Sequence, residues 1–426
     1  MSLNDTVRAD RIHIGFFGKR NAGKSSLVNA VTDQELAIVS DVKGTTTDPV
    51  YKSMELLPLG PVVIIDTPGY DDEGELGEKR VKKAVQVMNK TDIGVLVIDA
   101  KAGYSEEDVR LFARLVSKNI PSVAVFNKID SLEGDDALTL VKKGMAGFKE
   151  EVSHYLNGNG GESYLNNEKA VKYISVSALK KENIFELKEL LGSMKSDETS
   201  KRLIGDLIDK KDMLILVMPQ DEAAPKGRLI LPQVQMIRDI LDEHGLALCV
   251  QTEELKDALD SLKDKPRLVI CDSQVFKKVA EITPEDVPLT SFSILLARYK
   301  GYLESALKGI SAIKELKEGD KVLISEGCTH HRQCNDIGTV KIPRWLKENA
   351  GFKIDFDTSS GTEFPEDLSS YRAVIHCGGC MLNEREILYR VKCAEDQGVP
   401  VVNYGILIAY MNGILERAVR GINVNI

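Results

Sequence analysis

The stretch Gly18–Ser25, which reads GKRNAGKS, decides the fold of the first part of this chain. An apolar segment, IHIGFF, comes before it, and a helical pattern, SSLVNAV, begins at its end. A glycine-containing loop with this spacing, placed between a strand and a helix, turns its backbone N–H groups towards bound phosphates. Lys24 then neutralises the outer phosphates, and the hydroxyl of Ser25 is placed to bind Mg²⁺. The sequence therefore predicts a strand, a phosphate-binding loop and a helix in this order.

Short apolar strands and amphipathic helices alternate along the rest of the chain. Segments such as PVVIID, IGVLVID and SVAVFN are separated by helical spacing or by polar loops. This pattern is typical of parallel sheets covered by helices, so the predicted fold class is α/β, with one long helix at 293–316. Charged linker residues and new sets of strands divide the chain into three predicted domains, 1–194, 195–272 and 273–426. The middle domain has only three predicted strands, so we expect a second copy to stabilise it.

The charge balance and the distribution of apolar residues indicate which partners and which cellular compartment to expect for this protein. The 426 residues are 43% hydrophobic, and 65 acidic against 56 basic residues give a net charge of −9. This balance argues against a broad surface for nucleic acids. The first ten residues lack the apolar core of a signal peptide, and glycines and asparagines interrupt the most apolar run. We therefore expect a soluble, cytoplasmic protein that binds neither nucleic acid nor membrane.

Three further segments complete a nucleotide site. DTPG at 66–69 ends a predicted strand, where its aspartate lies on the Mg²⁺ side and its glycine N–H senses the γ-phosphate. NKID at 127–130 ends another strand, and the carboxylate of Asp130 accepts hydrogen bonds from guanine but repels the acceptor edge of adenine. GTP is therefore the predicted nucleotide, with SVSAL at 175–179 as the last element of its site. The predicted nucleotide-binding residues are Gly18, Asn21, Ala22, Gly23, Lys24, Ser25, Ser26, Asn127, Lys128, Asp130, Ser177 and Ala178.

The order of these segments resembles the translation-factor-like GTPases, among them the tRNA-modifying and ribosome-assembly enzymes. By this resemblance Asn21 helps to hold a K⁺ ion beside the phosphates, which implies potassium-stimulated hydrolysis. The segment GTTTD at 44–48 looks like the switch whose threonine binds Mg²⁺, and the match points to Thr46, with Thr45 and Thr47 as alternatives. Tyr70 stands where Ras-type GTPases carry a water-positioning glutamine, so we expect slow hydrolysis that serves as a switch. The predicted catalytic residues are Lys24, Ser25, Thr46, Asp66 and Gly69, with Ser25 and Thr46 as the Mg²⁺ ligands.

Cysteines and histidines form two motifs in the last third of the chain. CTHH begins at Cys328, after a predicted strand, and HCGGC at 376–380 follows another. Both motifs lie at the carboxyl ends of parallel strands, where open sheets bind ligands, so Cys328, Cys377 and Cys380 are expected to converge. A redox dithiol would leave Cys328 unexplained. A Cys₃His zinc site and a four-iron cluster with three cysteine ligands are equally compatible with these residues. Three further cysteines, Cys249, Cys271 and Cys393, are expected to pack in the core.

The combination of a GTPase domain, a small α/β domain with APKGRLILPQVQ at 224–235, a C-x-H motif and an H-C-x-x-C motif resembles the iron-iron hydrogenase maturation GTPases. The resemblance covers essentially the whole chain. It implies a 4Fe-4S cluster held by Cys328, Cys377 and Cys380, with His330 and His376 as candidates for a fourth ligand or a supporting hydrogen-bond donor. Residues 1–194 would then bind GTP, 195–272 would form a homodimer, and 273–426 would bind the cluster.

The same resemblance implies what the protein does. It would be a GTP-hydrolysing scaffold that carries a transient two-iron subcluster precursor to apo iron-iron hydrogenase. Its other partners would be the radical-SAM hydrogenase maturases that build this precursor. The alternative is an RNA-directed GTPase, of the tRNA-modifying or ribosome-assembly kind, with a zinc-stabilised accessory domain; the acidic charge balance opposes it.

Overall fold

The computed structural model describes most of the chain, in residues 11–33, 49–67, 69, 84–132, 137–158, 171–194, 201–219, 229–327, 336–361 and 363–422. The chain divides into two compact units, Met1–Asp197 and Glu198–Ile426. Several residues singled out in the sequence lie outside the described residues, namely Thr45, Thr46, Thr47, Tyr70, Cys328, His330 and His331.

The first unit contains a six-stranded sheet with helices against it. Its strands are β1 (Ile12–Phe17), β2 (Val50–Leu56), β3 (Gly60–Asp66), β4 (Ile93–Asp99), β5 (Ser122–Asn127) and β6 (Val171–Ser175). Its helices are α1 (Lys24–Thr32), α2 (Glu106–Ser117), α3 (Ala137–Gly158) and α4 (Ile184–Ser193). The strand order is β2-β3-β1-β4-β5-β6, and β2 runs antiparallel to β3 while the other neighbours are parallel.

Apolar side chains cover both faces of the central strands in this sheet. Leu27 of α1 and Leu187 of α4 pack in the core on one face. Phe112 of α2 and Phe148 of α3 pack in the core on the other. Continuous apolar strands of this kind are typical of a parallel sheet that is buried on both faces. The carboxyl ends of β1, β3, β4, β5 and β6 therefore share one edge of the sheet, which is where ligands bind in such folds.

The second unit contains two parallel sheets of four strands each. The strands are β7 (Met213–Val217), β8 (Leu246–Val250), β9 (Leu268–Cys271), β10 (Leu289–Ser291), β11 (Lys321–Glu326), β12 (Asp355–Ser360), β13 (Ala373–His376) and β14 (Val401–Asn403). Their orders are β10-β9-β7-β8 and β12-β11-β13-β14. The helices are α5 (Leu231–Asp242), α6 (Leu255–Ser261), α7 (Phe276–Ile282), α8 (Phe292–Tyr299), α9 (Leu303–Lys308), α10 (Ile310–Lys314), α11 (Ile342–Ala350), α12 (Glu384–Glu395), α13 (Tyr404–Met411) and α14 (Leu415–Arg420). The predicted α/β class is confirmed.

The middle sheet has a fourth strand that the sequence pattern did not reveal. The strand β10 has only three residues and lies between Pro288 and α8, so it carries too short an apolar run to be recognised. It pairs with β9, and the predicted boundary after residue 272 therefore falls inside this sheet. The ranges of the three domains themselves stay predictions.

The long helix expected at 293–316 is instead three short helices, α8, α9 and α10. Gly301 has a φ of 77°, a left-handed conformation that ends the helical path after α8. Gly309 separates α9 from α10 and lies so close to the carbonyl oxygen of Val401 that a side chain would collide with it. The left-handed Gly301 and the close packing of Gly309 against β14 thus break a segment whose sequence pattern alone is helical throughout.

One buried arginine ties the last helix to the middle sheet. The guanidinium of Arg417 in α14 donates to the carbonyl oxygens of Ala280 at 3.0 Å and Thr283 at 2.8 Å, and also to those of Pro284 and Val287. The carbonyl of Ala280 lies in α7, and the other three lie in the connection from α7 to β10. Both sheets also contribute to one hydrophobic core, so the second unit is held together across them.

Two cysteines of the middle sheet differ in their burial. Cys271 is buried as expected, but the prediction that Cys249 is a core residue is wrong, because Cys249 is exposed on the edge strand β8. None of the helices in the described part of the chain is both long and apolar enough to cross a membrane.

Candidate functional site

The loop between β1 and α1 has the backbone shape that its glycines predict. Gly18 has a φ of 147°, Asn21 of 59° and Gly23 of 88°, and Gly23 is the residue that caps α1. A side chain on Gly23 would collide with the amide nitrogen of Asn127. The loop therefore needs glycine at this point, and it places the positive end of the α1 dipole at the carboxyl edge of the sheet. Ala22 is buried in the loop and Ser26 lies in the first turn of α1.

Lys24 places its ammonium inside the loop. Its Nζ donates to the carbonyl oxygens of Gly18 at 2.8 Å and Lys19 at 2.7 Å, and only 8% of the residue is exposed. A buried cation encircled by backbone groups is suited to bind the phosphates of a nucleotide.

Ser25 and Asp66 form the acidic side of the site. The Ser25 hydroxyl donates to Oδ2 of Asp66 at 2.9 Å. The other carboxylate oxygen, Oδ1, is buried and has no hydrogen-bond partner among the described residues. Burial raises the pKa of Asp66 against the opposing effect of Lys24. A serine hydroxyl beside a carboxylate with an unsatisfied oxygen is a donor set that Mg²⁺ prefers.

Gly69 lies against the phosphate-binding loop. A Cβ atom at this position would come within 2.7 Å of the backbone nitrogen of Arg20. Glycine is therefore required for this close approach, and the backbone of the predicted γ-phosphate sensor adjoins the loop as expected.

Asn127 joins the base-recognition segment to its neighbours. Its Nδ2 donates to the carbonyl oxygen of Ala22 at 3.2 Å, and its Oδ1 accepts from the backbone N–H of Ala178 at 3.0 Å. The side chain is buried, with 1% of the residue exposed. One amide thus connects the phosphate-binding loop, the NKID segment and the SVSAL segment.

A hydrogen bond from a distant part of the chain holds Asp130, and Lys128 in turn donates to Asn21 and Asp99. The Ser177 hydroxyl donates to Oδ1 of Asp130. Lys128 has a left-handed φ of 66°, and its Nζ donates to the carbonyl oxygen of Asn21 and to Oδ2 of Asp99 at 2.8 Å. Asp99 was missed in the sequence, although it ends the strand IGVLVID in the same way as Asp66 ends PVVIID. This arrangement leaves a fixed carboxylate, Asp130, to accept hydrogen bonds from a base.

Cys377 and Cys380 follow β13 at the carboxyl edge of the last sheet. Cys377 Sγ accepts hydrogen bonds from the backbone N–H of Gly327 at 3.0 Å and of Gly379 at 3.3 Å. Gly379 has a φ of 65°, and this left-handed turn bends the chain back towards the sulfur. Gly327 directly precedes Cys328 in the sequence. Two amide donors on one sulfur favour the thiolate form that a metal binds.

Burial opposes ionisation of both thiols. It raises the pKa of Cys377 and brings that of Cys380 to about 12, where the charge of Cys377 adds to the effect. Neutral thiols are therefore favoured until a metal displaces their protons. Groups of three or more metal-binding side chains were not found within the described residues, which do not include Cys328.

His376 is buried with both ring nitrogens engaged. Its Nδ1 lies 2.7 Å from the carbonyl oxygen of Cys377, which can only accept, so Nδ1 carries the proton. Its Nε2 then accepts from Nη1 of Arg390 at 3.3 Å. Burial, together with the charge of Arg390, lowers the pKa of His376 to about 3. The imidazole is therefore neutral and fixes the carbonyl group of Cys377.

Arg390 is the centre of a buried network behind the cysteines. Its guanidinium pairs with Glu386 at 2.9 Å and donates to Ser325 Oγ at 3.2 Å and to the carbonyl oxygen of Gly361 at 2.7 Å. This network connects α12 to β11 and to the residues that follow β12. It was not predicted from the sequence, because a single arginine in an amphipathic helix gives no sign that it is buried.

Tyr302 supports the same carbonyl group from another direction. Its hydroxyl donates to the carbonyl oxygen of Cys377 at 3.1 Å and accepts from Nδ2 of Asn403 at 2.9 Å. Burial raises the pKa of Tyr302 well above its usual value, which keeps the phenol protonated as a donor. The backbone of Cys377 is thus fixed by two side chains.

The first unit is similar to known GTPases. The profile of the 50S ribosome-binding GTPase family matches residues 13–128. GTPase Der of Kosmotoga olearia is 36% identical over 128 residues, which cover 29% of this chain and 29% of that protein. The tRNA modification GTPase MnmE of Carboxydothermus hydrogenoformans is 40% identical over 118 residues, 28% of this chain and 25% of that protein. The chain thus spans less than a third of the length of these curated relatives.

A solved structure is similar to this chain at a low level. The crystal structure of a variant of Aquifex aeolicus Era, bound to GDP and aluminium fluoride, is 20% identical and has a TM-score of 0.34. The match covers 56% of this chain and 93% of that chain. The loop geometry and the family match together define the first unit as a P-loop GTPase domain.

The second unit has a more specific match. The hydrogen maturase F dimerization domain profile matches residues 203–301, and the hydrogen maturase F tetramerization domain profile matches 304–421. The chain therefore belongs to the hydrogen maturase F family, and the resemblance predicted from its motifs is confirmed.

Proposed function

We propose that this protein is a GTP-hydrolysing scaffold that binds a 4Fe-4S cluster and delivers a two-iron precursor to apo iron-iron hydrogenase. The observation that carries this proposal is the pair of cysteines at the carboxyl edge of the last sheet, in a chain whose second unit matches hydrogen maturase F. The radical-SAM maturases that build the precursor are its proposed partners. The proposed compartment is the cytoplasm.

The nucleotide site supports GTP and Mg²⁺ as cofactors. Asp130 presents a carboxylate to guanine, and Lys24 would neutralise the phosphates. Mg²⁺ would be held by Ser25 and Thr46, with Asp66 beside it, where it would stabilise the charge that develops on the phosphates. The unsatisfied Oδ1 of Asp66 is the structural sign that a cation belongs here.

Potassium stimulation is a separate part of the proposal. Asn21 lies in the loop with an exposed side chain, and Lys128 holds its backbone oxygen. Its side-chain oxygen is therefore available to a monovalent cation near the phosphates. Faster GTP hydrolysis in potassium than in sodium buffer is expected for the unaltered chain, and an N21A variant should lose this difference. Equal rates of the unaltered chain in both buffers would refute this part.

The cysteine site fits an iron-sulfur cluster in its donor chemistry. Cys377 and Cys380, with Cys328, would supply three thiolates, and the amide donors on Cys377 reduce the cost of negative charge. When bound, the cluster would offer one iron without a cysteine ligand as a docking point. His376 would support the cysteines through its hydrogen bonds, which leaves His330 as the candidate for the remaining iron.

The conversion of bound GTP to GDP by hydrolysis would act as a switch that controls either the loading or the release of the two-iron precursor. The experiment compares the affinity of the GTP-bound and GDP-bound protein for apo iron-iron hydrogenase and for each maturase. A difference between the two states is expected for at least one partner. Identical affinities for all partners, together with unchanged cluster spectra, would refute the switch.

A second candidate function, an RNA-directed GTPase with a zinc-stabilised accessory domain, predicts different metal contents. Anaerobically purified protein should contain iron and sulfide and be brown under the main proposal. A colourless protein that contains zinc and binds RNA would replace it.

A further inference from the structure

A buried lysine lies beside the second cysteine of the HCGGC motif. Lys300 is the residue that ends α8, and only 3% of it is exposed. Its Nζ donates to the carbonyl oxygen of Leu382 at 2.6 Å. Leu382 is two residues after Cys380, so the ammonium adjoins the turn that carries this thiol.

Lys300 and Tyr302 hold the cysteine turn at both ends. Tyr302 donates to the carbonyl oxygen of Cys377, where the turn begins, and Lys300 donates to that of Leu382, where it ends. Both residues lie in the short connection between α8 and α9, which exists because Gly301 interrupts the helical path. The position of the ammonium relative to the cysteines is therefore set by the backbone of both segments.

The charge of Lys300 acts in a region where water is excluded. Its ammonium is fixed against the backbone two residues after Cys380, and very little of the residue is exposed to screening water. Thiolates around an iron-sulfur cluster supply negative charge, and each added electron increases it. A fixed cation at this point therefore stabilises the reduced cluster more than the oxidised one.

We propose that Lys300 raises the reduction potential of the cluster through its buried positive charge, an inference that rests on the proposed function. Lys300 is thus a positioning and tuning residue, and it is not a proposed iron ligand.

The experiment separates the charge of Lys300 from its hydrogen bond. K300Q removes the charge but keeps an N–H donor for Leu382, whereas K300M removes both. K308Q is the matched control, because Lys308 is exposed on the next helix, α9, and its loss changes the net charge equally. Anaerobic full-length proteins are compared by iron and sulfide content and by an EPR-monitored redox titration.

Full cluster content with a shift to more negative potential in K300Q and K300M, and none in K308Q, is the expected result. If the cluster in K300Q has the same reduction potential as in the unaltered protein, the inference is overturned, because the charge then has no effect. This holds whether or not K300M differs. Loss of the cluster from K300Q overturns it as well, since the residue would then be needed for assembly. Absence of iron and sulfide from the unaltered protein would instead refute the proposed function itself.

Discussion

Asn127 and Asp130 show how single side chains define the nucleotide that this protein binds. Asn127 connects the phosphate-binding loop to the backbone of Ala178, and Asp130 is held by Ser177 in the same segment. The carboxylate is therefore oriented before a base arrives. Preorganised acceptors lose less free energy to ordering when the ligand binds.

Replacing Asp130 by asparagine should weaken GTP binding. The charged acceptor for two guanine N–H groups is lost, which costs about 2–4 kcal/mol, or roughly 30- to 700-fold in affinity. ATP binding should stay weak. Equilibrium titration with labelled GTP measures the effect, and D260N, which changes an exposed aspartate in the second unit, is the control. An unchanged GTP affinity in D130N would contradict this assignment.

For single residues, the sequence predicted those that belong to a motif but missed those whose side chains hydrogen-bond to the motif residues. The described P-loop residues contact Asp66 and the NKID residues at the carboxyl edge of the sheet. Asp99 and Arg390 were missed, because each needs a partner from a distant segment to reveal its role. Burial of a charged side chain depends on tertiary packing, and spacing along one strand or helix does not contain that information.

An exposed carboxylate at the end of α1 forms two ion pairs. Asp33 ends α1 in a left-handed conformation, and its carboxylate pairs with Lys181 at 2.9 Å and with Lys188 at 2.8 Å. Hydrogen bonds and charge from Lys188 and Lys181 lower the pKa of Asp33 to about 2. The pairs join the end of α1 to the region of α4.

Stability of the first unit should therefore depend on Asp33 in acid. Because the folded-state pKa lies below the unfolded value, this contribution is present above pH ~4 and is lost as pH falls towards ~2. The pairs are exposed, so the effect should not exceed about 1 kcal/mol. Urea unfolding of the unaltered chain and of D33N should differ near neutral pH and converge at the lower end of this range. A difference that persists in acid would contradict the assignment to ion pairs.

The last helix should depend strongly on Arg417. R417M removes the donor for four carbonyl groups, one in α7 and three in the connection from α7 to β10. A buried carbonyl without a partner costs about 1–3 kcal/mol. We expect a loss of at least about 2 kcal/mol in the free energy of unfolding. Thermal and urea unfolding measure it.

The control for this change is R420M, which alters an exposed arginine in the same helix and should have little effect. Equal effects of the two substitutions would show that the carbonyl contacts of Arg417 do not stabilise the second unit.

At the scale of the whole molecule, the edge of the middle sheet is the proposed contact between copies. β8 is one of the two edge strands of this sheet, and three apolar side chains there are exposed: Leu246 at the start of β8, and Leu241 and Val234 on α5. An unpaired strand edge with apolar side chains nearby is suited to pair with a second copy. The match to a dimerization domain over residues 203–301 supports self-association of this part.

A charge at this edge should prevent that association. L246K places an ammonium where an apolar contact is proposed, so we expect a smaller oligomer by light scattering after size-exclusion chromatography. L57K, which alters an exposed leucine of the first unit, should leave the mass unchanged. An unaltered mass for L246K would show that β8 is not the contact.

The architecture as a whole was predictable because strands and helices alternate with a regular period. The α/β class and the carboxyl-edge position of both sites follow from that pattern. The fourth strand β10 and the three-helix path of α8, α9 and α10 did not, since a three-residue strand has no period and helical spacing continues across Gly301. Pairing with β9 defines β10, and the left-handed Gly301 together with the packing of Gly309 against β14 defines the three-helix path.

Under the proposed function, the cysteines hold an iron-sulfur cluster in a unit separate from the GTPase domain. The most direct test is the iron and sulfide content of the anaerobically purified C377S variant, measured with its rate of GTP hydrolysis and compared with the unaltered chain. Loss of the brown colour, iron and sulfide with unchanged GTP hydrolysis is the predicted result. Full cluster content in C377S, or a zinc-containing unaltered protein without iron, would contradict it.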